Sequence, residues 1–229
     1  MENKTKGKLS VIFGILGIII LPIIFGPLAV YFGYKTKKAG LKKLGNIGIV
    51  FGIVSLVLMI FSSIINKFIL FPLLGSFLNT SHPVVAFVSE SMTHDENFDD
   101  WWTNAGNWYS NAGIDKNKFS IFPYKNGINK GDLLIIKGAN YDEIQIGDLI
   151  VFWSTRKDPI MHRVTKKWEE NEIQYFETKG DNHKTNPIPI RSAILDETKI
   201  SYDQVIGRVS KTIPKIGWVK IKYAEMLNS

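Results

Sequence analysis

The sequence has no cysteine in its 229 residues, which excludes disulfides, zinc–thiolate sites and a thiol nucleophile. Histidine is scarce as well: there are four, His82, His94, His162 and His183. No two stand at the i, i+4 spacing of a helical zinc motif, so neither a metal nor any other cofactor is expected. An arginine-rich stripe is also missing. The net charge of +7 invites a nucleic-acid reading, but much of the excess lies in the first 43 residues. There Lys4, Lys6, Lys8, Lys35, Lys37, Lys38, Lys42 and Lys43 face Glu2 alone. Lysines flanking apolar runs are topology signals rather than a phosphate-binding face, and no nucleic-acid partner is expected.

What the chain does have is an uneven distribution of apolar residues. Residues 9–77 are overwhelmingly apolar, whereas residues 95–229 read as an ordinary soluble domain. The first run, LSVIFGILGIIILPIIFGPLAVYFGY (9–34), exceeds the roughly 20 residues that cross a hydrocarbon core. Pro22 and Pro27 are expected to kink it. It is too long for a signal-peptide core, and no small-x-small cleavage site follows it. After the loop KTKKAGLKKLGN a second run follows from Ile47 to Ile65, and Lys67 interrupts it. Lys67 can snorkel, so a second helix is expected to end near it, giving helices at about 9–34 and 46–66. Residues 68–78 either lie at the interface or extend that helix. The five lysines of the loop outnumber the three before the first run. The loop is therefore placed in the cytoplasm and everything after the second helix outside it. The division expected is a two-helix membrane anchor over 1–78 and an extracytoplasmic domain over 79–229.

From Pro83 the pattern changes to short runs rich in Val, Ile and aromatics: VVAFVSE, DLLIIKG (132–138), DLIVFW (148–153), IMHRVTKKW (160–168), EIQYFETKG (172–180) and QVIGRVSK (204–211). Gly-Asp recurs at 131–132, 147–148 and 180–181 as a turn mark. WEENE joins two strands as a hairpin. The fold expected is mainly β, hung from a transmembrane helical hairpin. An insertion over about 95–130 interrupts the strands. Its Phe98, Trp101, Trp102, Trp108 and Tyr109 stand near helical spacing; Gly113 can stop one short helix and Asp115 cap a second. Such a segment can pack its aromatics onto the β domain, rest in a membrane interface or line a substrate groove. The last stretch, KTIPKIGWVKIKYAEMLNS, is too short and too charged to span a membrane. It either lies against one or forms a plain C-terminal strand and helix.

Serine hydrolysis needs a hydroxyl, a base within reach and a group that orients the base. VVAFVSESM (84–92) offers Ser91 at a strand end, PIMHRV offers His162 inside a strand, and TKGDN offers Asp181. Each motif alone is weak. Their order, after a membrane helix and with GDLLIIKG, GDLIVFW and IGRV around them, resembles type I signal peptidase in its archaeal and endoplasmic-reticulum branch. That branch carries S-x-S-M, H-R-V and G-D-N. The match covers residues 84–92 and 131 to about 220. The two apolar runs, with their glycines and GPLA, also resemble a small two-helix membrane domain of prokaryotes.

The resemblance to signal peptidase implies a membrane-bound serine endopeptidase that removes signal peptides with small residues at −1 and −3 from exported preproteins. It implies Ser91 as nucleophile, His162 as general base, Asp181 as the residue orienting the imidazole, and Ser89 as an oxyanion donor beside the Ser91 N–H. Its implied surroundings are a cell membrane crossed more than once, signal peptides as substrates and the translocon as a neighbour. Two features depart from the family. SMTH stands where a proline usually follows S-M-x, and the insertion delays the next Gly-Asp. The second acid usual after G-D-N is missing from NHKTNPIPI. Asp196 and Glu197 come later, and Asp196 is taken as the candidate. His94 and His183 are expected to be solvated loop residues. Two other readings stand beside this one: a catalytically silent scaffold of the same fold that binds translocon parts or signal peptides, and a self-cleaving protease with a serine–lysine dyad using Lys166 or Lys167.

Overall fold

A computed structural model describes residues 22–155, 158–218, 221, 222 and 225. The chain divides into two compact units between Leu73 and Leu74. In the first, helix α1 (Pro22–Lys38) and helix α2 (Lys42–Ile65) pack against each other through small residues. A side chain at Gly33 would meet the Gly45 carbonyl at 2.8 Å, and one at Gly52 would meet the Gly26 carbonyl at 2.6 Å. Glycine thus lets the two backbones touch. Gly40, with φ +90°, closes the turn between them, and the five lysines around it are exposed. The part of the first apolar run at residues 9–21 lies outside the described residues.

The second helix does not end at Lys67. It passes through a π-helical turn (Asn66–Leu70) into α3 (Phe71–Leu78), because a lysine on a helix surface can send its ammonium outward without breaking the backbone ladder. Pro72 lies inside this continuous helix, directly after the π-helical turn that replaces the regular i→i−4 ladder there. Among the described residues, Lys42–Leu78 is long and apolar enough to cross a membrane.

The second unit is built on an antiparallel sheet. Its strands are β1 (Val84–Ala86), β2 (Leu133–Lys137), β3 (Leu149–Phe152), β4 (Ile160–Glu170), β5 (Ile173–Lys179), β8 (Ile200–Ser201) and β9 (Val205–Ile213). Their order is β1-β2-β9-β3-β4-β5-β8. A small hairpin, β6 (Arg191–Ser192) and β7 (Leu195–Asp196), stands apart from it. The central strand β3 explains the unbroken apolar run in DLIVFW. Leu149 and Val151 enter one core cluster with Phe87, Met92 and Met161, while Ile150 and Phe152 enter another with Val164, Phe176 and Leu195. A strand covered on both faces has no polar side to show. WEENE forms a two-residue hairpin turn, with Asn171 and Glu172 both at positive φ between the paired Glu170 and Ile173.

The insertion folds as two helices. In α4 (Phe98–Asn111) the Asn97 side chain accepts the N–H groups of Asp99 and Asp100, and the two aspartates favour the positive helix end. Gly113, with φ +78°, follows its end, and Asp115 caps α5 (Lys116–Ser120). Trp101, Ala105 and Tyr109 recur every four residues along α4 and are buried with Ile114 and Phe119 in a third cluster. The insertion thus buries Trp101, Tyr109 and Phe119 in a cluster of its own and leaves most of its other residues exposed.

Two of the three Gly-Asp pairs behave as turn marks. Gly131 and Gly147 have φ of +92° and +101°. Asp132 accepts the Asn129 N–H, and Asp148 accepts that of Gln145. The third pair, Gly180–Asp181, does something else.

Candidate functional site

Ser91 sits at a corner where the chain leaves β1. The Thr93 N–H donates to the Glu90 carbonyl at 3.0 Å, which closes a β-turn with Ser91 as its second residue. The turn is tied down from several directions. Buried Met92 gives its carbonyl to the Ile128 N–H, and the Ser91 carbonyl accepts the Asn182 N–H at 2.9 Å. The Asn182 side-chain amide donates to the Glu90 carbonyl at 2.9 Å. The Asp181 N–H points at the Met92 sulfur, 3.4 Å away. Gly180 lies so close that a Cβ there would stand 2.8 Å from the Ser91 carbonyl oxygen. The Ser91 N–H donates to Ser89 Oγ at 3.1 Å, leaving the Ser89 hydroxyl proton free to donate elsewhere.

His162 and Ser91 line the same cavity, of about 410 Å³. Its walls include Ala86, Phe87, Leu134, Ile160, Ile190 and Leu195, with Ser89 beside Ser91. His162 is buried, and its Nδ1 is hydrogen-bonded to Glu197 Oε1. A carboxylate accepts only, so it selects the tautomer with the proton on Nδ1 and leaves Nε2 bare, the form a general base requires. Glu197 is itself held: the Thr178 hydroxyl donates to Oε1 at 3.0 Å and the Ile190 N–H to Oε2 at 2.8 Å. Backbone bonds from the Glu197 N–H to the Ile190 carbonyl and from the Thr178 N–H to the Glu197 carbonyl fix the residue at both ends. With this many donors the buried carboxyl group is held in one orientation.

Asp196 and Asp181, the two acids expected near the imidazole, lie elsewhere. Asp196 is exposed and caps its own turn, accepting the Thr198 N–H at 3.0 Å and the Thr198 hydroxyl at 2.6 Å. Successive side chains on an extended strand face opposite ways; Asp196 points out and Glu197 in. The same alternation separates His162 from Arg163. Arg163 crosses to the opposite face of β4 and takes Asp181 with it. Its Nε lies 2.9 and 3.1 Å from the two carboxylate oxygens, and Nη2 donates to Oδ2 at 2.5 Å. The remaining guanidinium donors go to the carbonyls of Pro123, Gly147 and Tyr124. The Tyr109 hydroxyl donates to Asp181 Oδ1 at 2.8 Å. Among the described residues, no hydrogen bond joins Asp181 to His162.

The electrostatics follow the geometry. Burial alone would raise Asp181; the Arg163 guanidinium, through its charge and its hydrogen bonds, overrides it and holds the carboxyl well below the usual range. Burial and the neighbouring Asp181 charge push the Tyr109 phenol well above its ordinary value, so it remains a donor. Lys179, on the Arg163 side of β5, is buried against the rings of Trp108 and Tyr109 and donates to the Gly180 carbonyl at 2.8 Å. Burial pushes its ammonium down to about 8, against the opposing pull of Asp181 and Glu197.

His94 is not solvated. It is buried, its ring stacked on Trp101 at 3.8 Å and its Nε2 3.4 Å from Asp181 Oδ2. His183 is half-buried, and His82 packs edge-on against Trp153, away from the cavity lining. Lys167 donates to the carbonyls of Tyr141 and Ile144, and Lys166 lies over Trp168. Neither lysine lines the cavity. The sequence pointed to Asp196 rather than Glu197, gave no role to Arg163, and marked Trp101 and Tyr109 only as part of an aromatic segment. The only hint of Glu197 was the alternation of a buried Leu195, an outward Asp196 and the acid that follows.

No family model matches the chain. Among curated proteins it is similar to the signal peptidase complex catalytic subunit SEC11 of Pyricularia oryzae, 31% identical over 98 residues that cover 42% of this chain and 56% of the relative. It is likewise similar to the subunit of that name from Sclerotinia sclerotiorum, 32% identical over 98 residues, with 42% and 56% covered. For that of Candida albicans the identity is 29% over 97 residues, with 42% and 57% covered. The chain spans just over half the length of the curated relatives it matches.

Proposed function

We propose that this chain is a membrane-held serine endopeptidase that removes signal peptides from exported preproteins, with Ser91 as nucleophile, His162 as general base and Glu197 as the carboxylate that orients it. The observation that carries the reading is the shared cavity. Ser91 lines it together with a histidine whose far nitrogen is committed to a buried acid. The similarity to catalytic subunits of a signal peptidase complex supports the substrate class.

In the reaction, Ser91 Oγ attacks the scissile carbonyl carbon while His162 Nε2 takes its proton. The negative charge of the tetrahedral intermediate gathers on the former carbonyl oxygen. Ser89 Oγ–H donates to that oxygen, and the Ser91 N–H joins it on releasing Ser89. As the C–N bond breaks, His162 returns the proton to the leaving amine. A water molecule then gives its proton to His162 and attacks the acyl-serine, freeing the new carboxylate and restoring the Ser91 hydroxyl. Glu197 holds the imidazolium through both halves. Asp181 takes no proton; it keeps the Ser91 turn in place.

β1 is an end strand of the sheet, so an extended peptide can add to it by main-chain hydrogen bonds. The apolar walls of the cavity suit small apolar side chains near the cut. The lysine-rich turn between α1 and α2 would face the cytoplasm, with the catalytic unit on the other side of a cell membrane crossed more than once. The resemblance to complex subunits makes translocon components the natural neighbours.

The test is cleavage of a preprotein by purified protein in detergent, with the product's new N-terminus read by mass spectrometry. Wild type is expected to cut at one site while Ser91→Ala and His162→Ala do not. Equal processing by all three would end the assignment.

A further inference from the structure

Helix α4 places two polar atoms in the aromatic cluster, the indole Nε1–H of Trp101 and the hydroxyl of Tyr109, and a buried polar atom needs a partner. Both find it in one residue. Trp101 Nε1 donates to the Asp181 carbonyl at 3.1 Å, and the Tyr109 hydroxyl donates to Asp181 Oδ1 at 2.8 Å. Asp181 and Asn182 in turn grip the Ser91 turn, through the Asn182 N–H on the Ser91 carbonyl, the Asn182 amide on the Glu90 carbonyl and the Asp181 N–H toward Met92. Trp101 also reaches the downstream side of the same turn, because His94 lies flat on its ring.

We propose that the insertion is a clamp on the nucleophile, in which Trp101 and Tyr109 are positioning residues that set Ser91 through Asp181 and Asn182. This rests on the reading of Ser91 as the nucleophile. Packing alone would be met by phenylalanine at both positions. Asp181 already has its counter-charge in Arg163, so the Tyr109 hydroxyl adds little neutralisation; it fixes the carboxylate in rotation. The insertion contributes nothing to the described cavity wall. A clamp of this kind acts on the rate of attack and not on peptide binding, since the nucleophile's placement matters only once the carbonyl is in reach.

The experiment uses the full chain in detergent. Trp101→Phe and Tyr109→Phe keep ring volume and remove one donor each, and Trp102→Phe is the control. Trp102 belongs to the same helix but makes no bond to Asp181. Expected for the two variants is a kcat about tenfold lower with KM within about twofold of wild type. Trp102→Phe should match wild type. Hydrogen exchange by mass spectrometry is read in parallel: peptides over 88–94 should exchange faster in Trp101→Phe and Tyr109→Phe, with those over 149–152 unchanged. Unchanged exchange at the turn would overturn the clamp. So would an unaltered kcat in an active enzyme, a loss of equal size in Trp102→Phe, or faster exchange throughout the domain. Wild type failing to cut preprotein would sink the peptidase reading, and exchange alone would then decide the clamp.

Discussion

His162 and Arg163 are neighbours on β4 and end on opposite faces, each against a buried carboxylate. The two pairs are built for different work. Arg163 directs its donors to Asp181 and three carbonyls, and Asp181 also receives Tyr109, so that face is closed and its hydrogen bonds are filled. On the other face Glu197 takes one ring nitrogen of His162 and leaves the second beside a cavity. A saturated pair can hold a shape but has no proton to move. An imidazole bonded on one side only can both orient and exchange one. Under the proposed mechanism the acid that orients the base is Glu197, and the acid of the G-D-N motif serves the turn that carries Ser91.

Five substitutions separate the two faces, beginning with the largest effect. His162→Ala should lower kcat/KM by about 10⁴-fold or more, measured on a preprotein substrate. Glu197→Gln keeps the shape but lets the ring adopt the wrong tautomer, and should cost about 10³-fold in kcat. Asp196→Asn, one residue away and exposed, should change it less than about twofold; a large loss there with an active Glu197→Gln enzyme would reverse the assignment. Asp181→Asn leaves Arg163 buried without a counter-charge and should lower unfolding stability by about 3 kcal/mol, seen as a lower melting temperature. Lys179→Met should have the smaller effect on stability, and an opposite one, raising it at pH 7 by on the order of 2 kcal/mol.

Lys179 and Asp181 also differ in how pH reaches them. Lys179 holds its proton less well folded, at about 8, than its ordinary 10.5. Between those values the unfolded chain binds a proton that the folded one does not, so this residue makes stability rise with pH across that window. Lys179→Met should flatten the rise in melting temperature. Asp181 behaves the other way. Its folded value lies below the ordinary 3.8, so its contribution is complete above that and is lost only as pH falls through the folded value, in strong acid. Between pH 5 and 8 it should give no slope.

The parts of this arrangement legible in the sequence are those that leave an apolar or conformational trace. DLIVFW marked a strand that the structure shows as β3, covered on both faces, while Gly113 and Asp115 marked the helix ends of the insertion. SESM and MHRV pointed to residues that meet in one cavity. What the sequence hid is polar and buried. Arg163, Lys179, His94 and Glu197 look like surface residues in a pattern count, because burial of a polar side chain depends on a partner far along the chain. Glu197 comes from the segment just after a strand of only two residues, too short for alternation to stand out. The lysine expected to end the second helix misled for a related reason: a long charged side chain reports where its tip goes, not where its backbone stops.

Gly180 shows how far this separation extends. Its backbone lies under the Ser91 carbonyl, with room for a hydrogen and nothing larger. In a mutational scan scored by growth or secretion, Gly180→Ala would rank beside the nucleophile, although no atom of Gly180 takes part in bond making. Sensitivity in such a scan would outline the mould around the serine as sharply as the chemistry, and the insertion residues Trp101 and Tyr109 would belong to the mould.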